Sequence, residues 1–182
     1  MKEEKCIILD FLSSGYSDRR HSEPIAQAVG YDYFSLLEVV PKEGVQLKSE
    51  QVVNLHDRDN DVKFIRSWLE YRDLTGYAKN VLPEAVTKIV IENEARFVAF
   101  FNTSRMLTPR MHQIQLLPGI GKKHLLDILD ERKKKPFESL ADLAQRVKLF
   151  PEPRKMIEKR VMNELMGTEK HYIFVAPKRK EY

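Results

Sequence analysis

The residues whose types and spacing point to a chemistry lie between Leu117 and Lys123, in the run LPGIGKK. Gly119 and Gly121, separated by one apolar residue, permit positive backbone angles and therefore a tight turn. A turn that feeds directly into a helix leaves the first amides unpaired at the positive end of the helix dipole, an arrangement that accepts a phosphate oxygen without any side chain. Lys122 and Lys123 follow in what should be the first helical turn. A cation there opposes the dipole by about 0.3–1 kcal/mol, so folding alone does not favour them, whereas an external anion accounts for both. The expected contact set is Pro118, Gly119, Ile120, Gly121, Lys122 and Lys123.

Other constellations are weaker. Asp57, Asp59 and Asp61 alternate as in a calcium loop or a metal-dependent nuclease, but position six would be Val62 where the sharp turn needs glycine, and position twelve would be Trp68 rather than glutamate. A solvated acidic turn is expected. The histidines, His21, His56, His112, His124 and His171, show no metal-ligand spacing, and no GxSxG, HExxH or P-loop is present. The single cysteine, Cys6, sits in an apolar run and reads as a small buried hydrophobe. The basic run Arg132–Lys135 closes a helix, where cations complement the last carbonyls, with a second row of phosphate contacts as the alternative. Arg19, Arg20 and His21 beside Tyr16 read as a polar loop or as a groove for single strands, and Tyr31, Tyr33 and Phe34 as core aromatics or a stacking platform. No catalytic residue, cofactor or resident metal is expected.

Elements must position the LPGIGKK turn. Thr108 as cap and Pro109 as first residue predict a helix with Ile114 and Leu117 on its buried stripe. Lys122 opens a second helix carrying Leu125, Ile128 and Leu129, which Pro136 stops. Ser139 and Asp142 fit a cap for a helix with Leu140, Leu143, Ala144 and Val147 on one face. The turn KLFPEPRK, Lys148 to Lys155, is glycine-free, and Pro153 opens a last helix with Ile157, Val161 and Leu165. Arg154, Lys155 and Arg160 are its candidate phosphate contacts. Earlier in the chain, strands are predicted at Lys5–Leu12, Tyr31–Val40, Gln51–Leu55 and Val62–Leu69, separated by a polar loop at Ser13–Pro24, a tight turn at Pro41–Gly44 and a charged turn at His56–Asp61. Pro83 should open a long helix through Phe97, Phe100 and Phe101, ending near Asn102, and His171–Pro177 should form a strand.

The pattern Ile114, Leu117, Gly119, Ile120, Gly121, Ile128, Leu129 resembles the helix-hairpin-helix motif, departing from it at Leu125, where the family places alanine. The resemblance implies sequence-independent binding to a nucleic-acid backbone by hairpin amides and adjacent lysines, with a monovalent cation bound at the hairpin in some members. Such motifs occur in pairs, and the glycine-free turn at 148–155 is the expected degenerate copy. The whole chain resembles a small family of uncharacterised archaeal proteins that join an oligonucleotide-binding-like barrel to a helix-hairpin-helix region. The expected fold class is α+β: a small OB-like β-barrel with a long packing helix in 1–104, an all-α region with two hairpins in 105–167, and a strand in 168–182 that returns to the barrel and ends in a basic tail.

Charge divides the same way. The net charge is +4, but the residues through Ser104 hold 13 Lys+Arg against 17 Asp+Glu, and those after it 18 against 10, giving −4 and +8. Such asymmetry points to a polyanion partner for the second half. No apolar stretch approaches the ~18–20 residues of a membrane span, no secretory signal is legible, and a cytoplasmic protein is expected. The sequence thus predicts a non-enzymatic module that binds RNA or DNA backbone, within a ribonucleoprotein or repair complex and away from membranes. The rival readings are a non-enzymatic adaptor docking on an acidic protein or ribonucleoprotein and, third, a metal-dependent nuclease.

Overall fold

Residues 2–16, 23–57 and 60–176 are described in the computed structural model. Branched and apolar residues in the first seventy positions form five antiparallel strands, β1 (Lys5–Leu12), β2 (Ile25–Gly30), β3 (Leu36–Pro41), β4 (Val52–Asn54) and β5 (Val62–Trp68), in the order β4-β1-β2-β3-β5. Bulges at Ile8/Asp10, Glu38/Val39 and Val40/Pro41 bend and twist the sheet. One face carries Cys6, Ile8, Ala26, Ala28, Leu37, Val39, Val53 and Val62 into a core that Leu47 and Leu55 from the connections complete. With a sheet of this order followed by helices, the class is α+β. β4 and β5 share no ladder among the described residues, so the hydrogen-bonded closure expected of a barrel is not formed by them.

Two expectations for this region are corrected. Tyr31–Val40 is not one strand: β2 ends at Gly30, Tyr31–Ser35 is a turn, and β3 begins at Leu36. The reason is Glu3, a buried carboxylate that accepts the amides of Asp32 (2.7 Å), Tyr33 (3.1 Å) and Ser35 (3.0 Å) and so folds that segment around itself. Gly30 is required beside it, since a Cβ there would stand 2.0 Å from the Glu3 carboxyl carbon. Strand β2, IAQAVG, lies outside the predicted strands because alanine and glutamine carry little strand propensity. Burial of all six of its residues between β1 and β3 holds it extended.

A polar row crosses the face opposite that core. Asp10 opposes Gln27, Gln27 opposes Glu38 and Glu38 opposes Ser67 on successive strands. Gln27 donates to the Tyr16 hydroxyl (2.8 Å) and the Asp73 carbonyl (3.0 Å) and accepts the Thr75 amide (2.8 Å), while Asp10 accepts the Thr75 hydroxyl (2.6 Å). Arg66 approaches Glu38 at 3.6 Å and also pairs with Glu23. This row fixes Thr75, whose hydroxyl accepts the Ala78 amide (3.0 Å) and caps helix α1 (Gly76–Glu92). The cap and the buried Ala78, Leu82, Ala85 and Val86 start the helix before Pro83, which lies inside it rather than at its N-terminus. The helix breaks at Asn93, and α2 (Glu94–Thr103) follows.

The chain divides into two units, one of Met1–Val86 with Glu164–Tyr182 and the other of Thr87–Asn163. The division therefore falls within α1 rather than at 104, and Phe97 and Phe101 belong to the second unit. That unit continues with β6 (Met106–Thr108), β7 (Met111–His112), α3 (Lys122–Lys134), α4 (Leu140–Arg146) and α5 (Pro153–Leu165). Its core includes Phe97, Phe101, Ile114, Ile128, Phe137, Leu143, Ile157 and Val161. Asn102 joins α2 to the α3–α4 connection by a reciprocal pair, donating to the Phe137 carbonyl (2.9 Å) and accepting its amide (2.8 Å). Ser139 caps α4 by accepting the Asp142 amide (2.9 Å), as its spacing predicts.

After α5 the chain rejoins the first unit. The strand expected at 171–177 does not form among the described residues. The amides of Ile173, Phe174 and Val175 all donate to the Glu164 carboxylate (3.0, 3.0 and 2.9 Å), and only Ala176 reaches a strand-like partner, the Tyr33 carbonyl (3.0 Å). One carboxylate has taken the donors a ladder would need. Arg19, Arg20, His21, Asp59 and the basic tail Lys178–Lys180 lie outside the described residues. No helix of the described residues is long and apolar enough to cross a membrane.

Replacing Glu164 by alanine strands three backbone donors, of which the Phe174 bond is buried. The Glu164→Ala variant is expected to lose about 2–3 kcal/mol in urea unfolding, with Glu164→Gln losing part of that because only one of its terminal atoms accepts.

Candidate nucleic-acid interface

The approach to the LPGIGKK turn differs from the expected helix. Thr108 and Pro109 stand at the end of a two-stranded hairpin in which Met106 pairs with His112 and Thr108 with Met111. His112 then caps a single 3-10 turn, Gln113–Leu116: its Nδ1 accepts the Ile114 amide (3.2 Å), and Gln115 accepts the His112 amide (2.8 Å). Ile114 and Leu117, three apart, lie on one face of a 3-10 turn as well as of an α-helix, which is why spacing alone misassigns the segment. Both are fully buried. The last carbonyl of that turn, Leu116, accepts from the Arg160 guanidinium (2.8 Å). Arg160 is 2% exposed, so its expected role as a phosphate contact is replaced by that of a buttress from α5.

The corner itself is pinned by apolar side chains and left open at its backbone. Leu117 donates to Ile114 (3.1 Å) and Ile120 to Leu117 (3.3 Å), while Leu125 makes the first bond of α3 to the Gly121 carbonyl (3.0 Å). Gly119 takes φ +86°, the left-handed region. Gly121 is the N-cap at φ −90°, ψ −179°, extended backbone that any residue adopts, so only one of the two glycines is needed for the turn's conformation. Among the described residues no acceptor pairs with the amides of Gly119, Gly121, Lys122, Lys123 or His124, and Gly121 provides no side-chain cap. Gly119, Gly121, Lys122 and Lys123 are exposed, Pro118 is half-buried, and Ile120 turns inward at 8% exposure. Ile120 is thus an anchor of the corner rather than a contact.

Charge sharpens the difference between this corner and the rest of the unit. Lys122 and Lys123 have no carboxylate partner among the described residues. Lys133, Lys134 and Lys135 pair with Asp130, Glu131 and Glu138, and the expected second contact pair, Arg154 and Lys155, is held by Glu152 (3.0 Å each) with Glu158 also near Arg154 (3.5 Å). The Arg132–Lys135 run is divided in role: Arg132 donates to the Phe101 and Ser104 carbonyls (2.9 and 3.0 Å) and so closes α2. The end of α3 is closed instead by Arg146, which donates to the Glu131 and Lys135 carbonyls (2.6 and 2.7 Å). The importance of Arg132 and Arg146 has no local sequence signal.

The second turn repeats the first in backbone shape. Leu117, Gly119 and Ile120 have counterparts in Val147, buried, Leu149 at φ +55°, and the half-buried Phe150, before α5 begins at Pro153. Leu149 is 88% exposed in a conformation that disfavours a side chain by about 1–2 kcal/mol. A glycine search misses this copy because leucine occupies the left-handed position.

The remaining candidates are structural. Tyr31 and Phe34 are buried and Tyr33 is half-buried, so these three do not form an exposed platform, and Tyr16 is held by Gln27 (2.8 Å). Asp57 accepts from Asn54 (2.7 Å) and Asp61 from Gln51 (3.0 Å), each held by a different neighbour of the acidic turn. Among the described residues no group of three or more His, Cys, Asp or Glu could hold a metal ion. Burial and the Glu3 charge push the Cys6 thiol up to about 12. For His112, burial and the Arg132 charge lower the pKa below the ordinary imidazole value, against a hydrogen bond to the Ser104 backbone.

Three variants and one pH profile test this geometry. Gly119→Ala should destabilise by about 1 kcal/mol, while Gly121→Ala stays within about 0.5 kcal/mol because a stiffer unfolded chain offsets a poorer cap. Leu149→Asn should stabilise by about 1 kcal/mol, read as a higher urea midpoint at unchanged m. His112 is neutral when it accepts the Ile114 amide and its folded pKa is depressed. Its contribution to stability is therefore complete above about pH 6.5 and falls as pH drops through the folded value, a slope that His112→Asn should flatten in urea titrations.

The family described as "Protein of unknown function (DUF655)" matches residues 2–176. The chain is 37% identical over 175 residues to an uncharacterised protein, MJ0038, of Methanocaldococcus jannaschii, covering 94% of this chain and 79% of that one. The crystal structure of Af1531 from Archaeoglobus fulgidus is similar at a TM-score of 0.83 and 40% identity, covering 96% of this chain and 100% of that chain. On the span of the match and the identity to these archaeal proteins, this chain belongs to the DUF655 family.

Proposed function

We propose that the protein binds the sugar-phosphate backbone of RNA or DNA without reading bases, using the corner Pro118–Lys123 in the manner of a helix-hairpin-helix element. The observation that carries this reading is the open backbone: among the described residues, five consecutive or near-consecutive donors, from Gly119 to His124 with only Ile120 satisfied, stand at an exposed helix N-terminus beside two lysines that no described carboxylate neutralises. Backbone donors and a helix dipole favour an anion, and two surface cations at the same point favour a polyanion. Intramolecular pairing of Arg154 and Lys155 with Glu152 makes the second turn the weaker contributor. The reading is of a binding module rather than an enzyme.

A single corner makes few phosphate contacts, so the dissociation constant should lie near 10⁻⁴–10⁻⁶ M, roughly the non-specific range at physiological salt. In fluorescence anisotropy with labelled single-stranded and duplex RNA and DNA, Lys122→Gln/Lys123→Gln should weaken binding and reduce the salt slope by about two on duplex. Gly119→Ala/Gly121→Ala leaves the charge unchanged but sets methyl groups between phosphate and amides, so it should also weaken binding, provided circular dichroism shows the variant folded. An electrostatic adaptor would respond to the lysines alone. No binding by any of the four polymers at about 1 mM protein, well above the non-specific range, or sustained cleavage of them in Mg²⁺, overturns the proposal.

A further inference from the structure

From Ala95 to Leu126 the sequence holds no Asp or Glu. The β6–β7 hairpin lies in the middle of that stretch, and every residue from Arg105 to Met111 is exposed. Three of them are large and apolar: Met106 at 55%, Leu107 at 37% and Met111 at 36%. Single exposed apolar side chains are ordinary on a protein surface, but three on one short projection mark a contact. Arg105 and Arg110 flank them, and neither has a carboxylate partner among the described residues. The hairpin is fixed at its base, where Gln113 donates its amide to the Arg105 carbonyl (3.0 Å) and accepts the Arg105 amide through its side chain (2.9 Å). That base leads directly into the 3-10 turn that carries the Gly119 corner.

We propose that the β6–β7 hairpin is a second nucleic-acid contact, a wedge whose Met106, Leu107 and Met111 side chains enter a base step of a duplex while Arg105 and Arg110 hold the flanking phosphates. This inference rests on the backbone-binding reading of the Gly119 corner and adds to it the form of the partner. The three-residue β6 spans about 10 Å, enough to reach the floor of a minor groove about 7.5 Å deep. Methionine, leucine and proline are side chains that partly unstack base steps from that groove, with arginine beside them. The hairpin and the corner are separated by one short 3-10 turn of about 2 Å rise per residue, so both can meet one duplex over a few base pairs. A purely apolar protein partner would leave the two arginines and the absence of acids from Ala95 to Leu126 unexplained, and an acidic protein partner is the outcome reached if none of the polymers binds.

The test uses the full chain and duplexes of DNA and of RNA carrying a central 2-aminopurine, whose fluorescence rises when it unstacks. Wild type should raise the signal on binding. Met106→Ser/Leu107→Ser/Met111→Ser should abolish that rise and weaken affinity about tenfold with the salt slope unchanged, whereas Arg105→Gln/Arg110→Gln should lower the slope by about two. Only the serine substitutions distinguish the two proposals. If the serine variant unstacks and binds as wild type does while Lys122→Gln/Lys123→Gln weakens binding, the wedge is refuted and the corner stands. Binding of single strands but of neither duplex refutes the wedge in the same way. If wild type binds none of these polymers, both proposals fail.

Discussion

Irregular backbone and helix ends in this protein are held by buried or half-buried charged side chains aimed at peptide groups. Glu3 gathers the amides of Asp32, Tyr33 and Ser35, and Glu164 those of Ile173, Phe174 and Val175. Arg132 and Arg146 take the terminal carbonyls of α2 and α3, and Arg160 takes the carbonyl of Leu116. A buried peptide group without a partner forfeits about 1–3 kcal/mol, so each of these loops keeps its shape only while its charged partner stays in place. The turn at Gly119 is built from the same parts on its inner side, with Arg160, Ile114, Leu117 and Ile120 securing it. Among the described residues its outer amides have no such partner, and that contrast is what singles the corner out.

Cations in the helical unit differ in whether a carboxylate accompanies them. Lys133, Lys134 and Lys135 at the end of α3 and Arg154 and Lys155 at the start of α5 are paired with nearby carboxylates, mostly at i±3 or i+4 spacings, which lends them to helix stability and leaves little field outside. Those at Arg105, Arg110, Lys122 and Lys123 sit in a stretch without acids. Among the described residues no carboxylate pairs with these four, which lie on the β6–β7 hairpin and the adjoining corner. The second turn places its left-handed bend on the exposed Leu149 rather than on a glycine that would relax it.

Local patterns are legible where a helix or strand depends on its own residues. The starts of α3 at Lys122 and α5 at Pro153, the Ser139 cap of α4, strands β1 and β5 and the placement of the GIGKK turn all follow from spacing and capping chemistry. The segment before the corner escapes such reading because a three-residue apolar interval serves a 3-10 turn and an α-helix equally. Strand β2 escapes it because its small and polar residues are held extended by the strands on either side. The tail at 171–177 has the composition of a strand, but Glu164, remote from it in pattern though near in sequence, claims the donors that a strand would have offered.

The sequence alone therefore determined the α+β composition, the basic second half and the identity of the turn that faces solvent, because periodicity, charge and glycine placement are properties of neighbouring residues. Tertiary structure decided which cations remain available, which glycine is conformationally required, and that Arg160 supports the turn from within. Those outcomes depend on which carboxylates and carbonyls come within about 3 Å across the fold, a matter of packing between segments far apart in the chain.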